Sequence, residues 1–545
     1  MDLILYNGKI VTMDEKNREA QAVAVQGDMI IKVGSNEEIM KLRKNNTKVI
    51  NLQGKLVVPG FIDSHMHLIG YGTSIQKVDL KDCKSVEDII DKVKKFIEVK
   101  NIPVGKWVQG INWNQENFDV KRFPNKYDLN KISKVHPICI TRACYHVSVI
   151  NDKALEVLGI DKDSVQIQSG EIDTDEKGNV LGIFRENSMW IIDDAIVEPD
   201  LEELKDIIKN ACCNASKQGI TSIHTDDFAY LPSKNYEKII KAYKQLENEG
   251  KLKVRINAQC RLSNMEILQE FIDKKYNKFK GDKFFKFGPL KLICDGSLGA
   301  RTAYLSYKYN DDCSTCGICN FTQEELDEII LTAHKAGMQI AVHCIGNKAM
   351  YMVLESIQKA VQKYPRKDTR HSIIHAQITD KLLIEKFKNM DIIANVQPIF
   401  LNADLHVVEK RIGKERAKYT YNWKTMIDKG IHVTCGSDCP IEHFDILPNI
   451  YSAVTRKDLK GYPKGGWLKE QKISVHEALK GFTCEGAYAS FEENLKGSIT
   501  ENKLADMVVL SDNIFEIKHD DIKDVKVLMT ILGGKVVYKN EKYEF

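Results

Sequence analysis

Short apolar runs recur through the middle of the chain, each closed by polar residues. They are FIDSHMH (61–67), TSIHTD (221–226), KVRINAQC (253–260), LKLICDG (290–296), QIAVHCIG (339–346), SIIHAQ (372–377), IIANVQP (392–398) and HVTCGSD (432–438). Runs of this length, rich in β-branched residues, read as strands buried on both faces. Between several of them apolar positions recur at helical spacing, as in TQEELDEIILTAHKAG and TDKLLIEKFKNM. Eight such units predict an α/β fold, a (β/α)8 TIM barrel over residues 59–496. Residues 73–200 break the rhythm. They are expected to form an insertion after the first strand, over the active site, because barrels build that site from the loops that follow their strands.

The two ends carry a different pattern. LILYNGKIVTM turns at Asn7-Gly8, AVAVQGDMIIKVG at Gly27-Asp28 and VLMTILGGKVVY at Gly533-Gly534, and each reads as a hairpin. Two separate hairpin appendages would leave two apolar faces uncovered. Residues 1–58 and 497–545 are therefore expected to form one small β-sandwich domain.

Composition narrows the function classes. At 545 residues, 43% hydrophobic and 28% charged, the chain can bury a large core. A net charge of +3, with only 13 Arg among the 79 basic residues and no dense basic block, gives no footprint for nucleic acid. No apolar run approaches the roughly 18 residues of a spanning helix, so no membrane partner is expected. The first residues, MDLILYNGK, lack a basic segment followed by an apolar one. With fourteen cysteines scattered as in a reduced compartment, the expected location is the cytoplasm. The sequence leaves room for a homodimer without requiring one.

The chemistry collects at strand ends. In PGFIDSHMHL the alternation of an extended strand puts Phe61, Asp63, His65 and His67 on one face. Two imidazoles at the C-terminal end of a strand can hold a divalent metal. Lys291, His343, His375 and Asp438 lie at or near the ends of strands four, five, six and eight, the catalytic face of this fold. One such residue is ordinarily a satisfied core or surface group; agreement over five strand ends points to a site. Lys291 sits among apolar neighbours, where an unpaired ammonium is costly. Either it pairs with a carboxylate such as Asp295, or its neutral amine takes up carbon dioxide as a carbamate.

The sequence resembles the amidohydrolase superfamily, and within it the Amidohydrolase 3 branch that includes N-substituted formamide deformylases. The resemblance runs over nearly the whole chain. It rests on PGFIDSHMHL, DGSLGARTA (295–303), AVHCIGNKA (341–349), IIHAQ, NVQP, GSDCPIEHFD (436–445), AVTRK (453–457) and EALKGFTCEGAYASF through KGSITENKLADMVVL (477–510). It implies one metal on His65, His67 and Asp438 and a second on His343 and His375. Carboxylated Lys291 would lie between them. The ions would be zinc, with manganese or iron as alternatives. It implies further that Asp438 passes a proton from water to the departing amine of a small amide-type substrate. Softer candidates for substrate contact are His146, Glu186, His224 and Arg301. Tyr145 stands where relatives carry glycine before that histidine, and Asn347 where they often carry aspartate.

CSTCGIC places Cys313, Cys316 and Cys319 at spacings that suit part of a zinc or iron–sulfur site, but no fourth ligand is evident nearby. They are expected to be free thiols in a loop. Two other readings compete with amide hydrolysis: a deaminase with one metal, disfavoured by the strand-four lysine, and a non-catalytic sensor that keeps the barrel, disfavoured by six intact ligand positions. Metal content with a turnover screen separates the three.

Overall fold

The computed structural model describes residues 1–544 except 15, 17, 18, 145, 162–169, 197, 279 and 280. It divides into two compact units, 1–71 with 201–545, and 72–200.

In the first unit eight strands pair in parallel, in chain order. They are β1 (Phe61–Met66), β2 (Ile220–Thr225), β3 (Arg255–Arg261), β4 (Phe285–Ile293), β5 (Ile340–Cys344), β6 (Ser372–His375), β7 (Ile393–Val396) and β8 (Val433–Cys435). All eight expected strands are present. β4 starts five residues before the expected Leu290. A proline inside FKFGPL argues against a ladder position, yet the register with β3 slips between Ala258 and Cys260, and this irregularity accommodates Gly288-Pro289. Helices such as Leu201–Lys217, Gln323–Lys335 and Asn347–Lys363 alternate with the strands. Their apolar stripes pack on the barrel through Ile208, Ala211, Ile330, Val353 and Leu354, all buried.

The barrel closes where β8 meets β1. The Asp438 amide donates to the His65 carbonyl at 2.8 Å. Asp63 receives the Ser437 hydroxyl at 2.6 Å and the Ser437 amide at 3.0 Å. Gly436 permits this approach, because a Cβ there would stand 2.5 Å from the His65 nitrogen. Burial pushes the Asp63 carboxyl up to about 7, against the hydrogen bonds from Ser437 and His65 that favour its charge.

Both termini build two further sheets. One orders Met29–Gly34, Ala22–Gln26, Leu3–Tyr6 and Lys48–Asn51; the other orders Lys535–Lys539, Val527–Leu532, Met507–Leu510, Leu56–Pro59, Lys9–Val11 and Glu19–Ala20. Leu3, Leu5, Val23 and Val25 of the first sheet share a core with Ile10, Val57, Met507, Val509 and Ile531 of the second. The hairpins at Gly27-Asp28 and Gly533-Gly534 are present. The expected hairpin at Asn7-Gly8 is not. Leu3–Tyr6 pairs with Ala22–Gln26 and Lys48–Asn51, whereas Lys9–Val11 pairs in the other sheet. Asn7, at φ 56°, turns the chain from one sheet into the other, and burial of both faces of the sandwich outweighs the local turn signal.

The second unit has its own six-stranded mixed sheet, ordered Gly170–Thr174, Val180–Glu186, Val147–Ile150, Ile138–Arg142, Val108–Trp113 and Val78–Asp79. Helix Val86–Lys100 packs against it through Val86, Ile89, Ile90 and Val93.

Candidate active site

At the C-terminal end of the barrel, His65 Nε2 and His67 Nε2 each lie 3.2 Å from the same atom, Asp438 Oδ1. Both rings are tied back through the other nitrogen. His65 Nδ1–H donates to Gln259 Oε1 at 2.7 Å, and His67 Nδ1–H donates to the Asp226 carbonyl at 2.9 Å. These acceptors select the tautomer that leaves both Nε2 lone pairs facing Asp438. Gln259 also donates to the Ser64 carbonyl at 3.2 Å, which Asn395 Nδ2 holds at 2.7 Å, so the backbone beside His65 is pinned from strands three and seven.

Asp438 Oδ1 is buried and takes no well-directed hydrogen bond. Among the described residues, His65, His67 and Asp438 are the one group of three whose ligand atoms converge as a metal would require. Asp438 has φ 59° and His375 φ 75°. Left-handed backbone at two buried polar residues is the local strain that functional sites hold.

His375 Nε2 and His343 Nδ1 face each other at 2.9 Å, with ring centroids 4.4 Å apart. The His375 ring lies 5.9 Å from that of His65 and stacks on Phe400. Burial lowers His343 to about 3 and His375 well below its ordinary value, so both are neutral imidazoles with a lone pair to offer. His375 Nδ1 is buried with no partner.

Lys291 is 1% exposed, and its Nζ stands 3.3 Å from Asp226 Oδ2. The expected carboxylate partner, Asp295, is not the one used. Asp295 instead accepts the backbone amides of Tyr304, Ile345 and Gly346 at 2.7–2.9 Å, which orders the loops after β4 and β5. Asp226 ends the β2 run. Burial opposes its charge, but Lys291, His67 and Arg261 hold its carboxyl below the usual value. Asp226, Gln259 and Arg261, whose Nη1 is 3.8 Å from Asp226 Oδ2, were not among the sequence candidates. Their signal was positional, since each falls at the C-terminal end of strand two or three.

The softer candidates have surroundings of their own. His224 is buried inside the barrel with Nε2 unpartnered, in the field of Lys496, Glu492 and Lys286. Arg301 is taken up by Asp311, through Nε at 3.1 Å and Nη2 at 2.9 Å. His146 and Glu186 belong to the second unit, are exposed, and bond each other at 2.9 Å. Tyr145 is outside the described residues. Asn347 braces Ser306, accepting its amide at 3.0 Å and donating to its hydroxyl at 2.8 Å. Cys313 is an exposed free thiol, and Cys316 and Cys319 are half-buried free thiols.

The sequence matches the amidohydrolase family over residues 48–538. The chain belongs to the amidohydrolase family. It is 32% identical to YtcJ of Bacillus subtilis (strain 168) over 99% of this chain and 100% of that one. It is 25% identical to the N-substituted formamide deformylase of Arthrobacter pascens, covering 99% and 98%. Among solved structures it is similar to an uncharacterized metal-dependent hydrolase from Pyrococcus horikoshii OT3, with a TM-score of 0.77, 28% identity and coverage of 95% and 99%. This amidohydrolase is thus a hydrolase acting on carbon–nitrogen bonds. Among its described residues no helix is long and apolar enough to cross a membrane.

Proposed function

We propose that this amidohydrolase cleaves a non-peptide amide bond of a small molecule, with N-substituted formamides as the first class to test. His65, His67 and Asp438 would hold one divalent ion, and His343 and His375 a second, with Lys291 between them as a carbamate. Imidazole and carboxylate donors suit zinc. The observation that carries the reading is the convergence of His65 Nε2 and His67 Nε2 on Asp438 Oδ1, 3.2 Å from each. A buried carboxylate oxygen without a directed donor, facing two imidazole nitrogens, fits a cation. Bound ions would supply an ionised water and a polarised substrate carbonyl.

The chain's own residues do the rest. Gln259 and the Asp226 carbonyl fix the imidazole tautomers, and Asp63 with Ser437 fixes the turn that carries Asp438. Asp438, ionised and buried, accepts a proton from the attacking water and returns it to the leaving nitrogen, giving an amine and a carboxylate. Arg261, one-third exposed at the end of β3, is placed to orient a substrate oxygen.

The test is a panel of N-substituted formamides, acyl amino acids and cyclic amides, read by amine release. At least one should turn over, and Asp438→Asn should lower its rate by about 10²–10⁴-fold with a far smaller change in binding. Equal rates would remove Asp438 as proton carrier. Ammonia from an aminated ring, with no amide cleaved, would make the protein a deaminase.

A further inference from the structure

The cysteine-rich loop after β4 does not gather its own sulfurs. Cys319 Sγ lies instead 3.7 Å from Cys294 Sγ, on the residue that follows β4. The backbones already run side by side. Asp295 and Cys319 form an antiparallel bridge, and the Asn320 amide donates to the Cys294 carbonyl at 2.8 Å. Sulfur continues outward from the pair, with Met352 Sδ 3.9 Å from Cys319 Sγ. Cys294 is buried and Cys319 half-buried, so an oxidant in solution meets Cys319 first.

We propose that Cys294 and Cys319 are a dithiol that closes to a disulfide under peroxide, tying the loop to the barrel strand that carries Lys291. Hydrogen peroxide oxidises the Cys319 thiol to a sulfenic acid with loss of water. The Cys294 thiol then attacks that sulfur and a second water leaves, so two thiols and one peroxide give one disulfide and two waters. The sulfurs must approach from 3.7 Å to about 2.05 Å. Neither thiol ionises readily. Contact with Cys294 and burial push Cys319 up, while for Cys294 the effects of Cys344 and burial outweigh its contact with Cys319. A low thiolate fraction slows peroxide attack as well as thiol–disulfide exchange, so closure requires sustained peroxide.

Closure reaches the site through two bonds. The Cys294 amide donates to the His343 carbonyl at 3.0 Å. The next residue, Asp295, holds the amides of Tyr304, Ile345 and Gly346 and lies 3.6 Å from His343 Nε2. Pulling Cys294 toward the loop loosens that cradle.

The experiment treats the full chain with hydrogen peroxide under native conditions, blocks remaining thiols, and maps cross-linked peptides by mass spectrometry. The expected product has lost two hydrogens and joins the peptides of Cys294 and Cys319. Cys319→Ser and Cys294→Ser should each abolish it, and a reductant should reverse it. Hydrogen exchange at Tyr304, Ile345 and Gly346 should rise at least about threefold in the cross-linked protein, consistent with loss of cooperative protection. A Cys313–Cys316 cross-link, or Cys319 carried to the sulfinic acid with Cys294 still free, would overturn the pairing. A cross-link with unchanged exchange at all three amides would overturn its coupling to the site. None of these readings depends on the substrate.

Discussion

Gln259→Leu tests whether the tautomer of His65 is set from outside the ligand cluster. Leucine keeps much of the volume and removes only the amide. The Ser64 carbonyl keeps its bond from Asn395 at 2.7 Å, so the strand remains pinned and the loss is confined to His65 Nδ1–H, which gave its proton to Gln259 at 2.7 Å. That buried donor is then orphaned, at a cost of about 1–3 kcal/mol, or the ring adopts its other tautomer. In that tautomer Nε2 carries the proton, bonds Asp438 Oδ1 across the 3.2 Å now separating them, and no longer offers a lone pair. Loss of such an orienting partner lowers metal affinity by about 10–100-fold. That range corresponds to about 1.4–2.8 kcal/mol, which matches the cost of the orphaned donor. The measurement is zinc affinity by chelator competition on metal-stripped protein, with thermal unfolding of the same preparations as a control for the fold. Zinc affinity within about twofold of wild type, with the fold intact, would refute the argument that Gln259 prepares His65 as a ligand.

Two further predictions concern stability. Arg255 is 3% exposed and binds Asp506 at 2.7 and 3.0 Å, joining β3 to the terminal β domain. Asp506→Ala should cost about 3–5 kcal/mol by leaving a buried guanidinium unpaired; a urea transition within 1 kcal/mol (about) of wild type would show that water or a rearranged carboxylate replaces Asp506. Asp63, raised by burial from about 3.9 to about 7, binds its proton more tightly folded than unfolded. Unfolding therefore releases a proton between these values, and stability falls as pH rises through that window, by up to about 1.4 kcal/mol per unit. Below the lower value Asp63 contributes no slope, and above the upper one its loss is complete. In metal-stripped protein Asp63→Asn should flatten this slope, and equal pH dependence in both proteins by urea unfolding would exclude Asp63 as its source.

The periodic signals in the sequence determined the barrel, its eight strands in order and the strand ends at which chemistry collects. Alternation within FIDSHMH is enough to put Asp63 and His65 on one face, because the side-chain period is a local property of a strand. What pairs with what across the barrel is not local. Lys291 meets Asp226 and not Asp295, although Asp295 is only four residues away, because the barrel brings the end of β2 to the lysine past the intervening β3, while the backbone amides of two loops claim Asp295. Asn7-Gly8 joins two sheets where the dipeptide alone reads as a hairpin, because each strand finds a longer apolar partner elsewhere. The cysteine spacing of CSTCGIC likewise hid the true neighbour of Cys319, Cys294, which follows β4. Spacing along the chain fixes which side chains share a face. Only closure of the barrel fixes which of them stand within a hydrogen bond of one another, because those distances are set by shear between strands far apart in sequence.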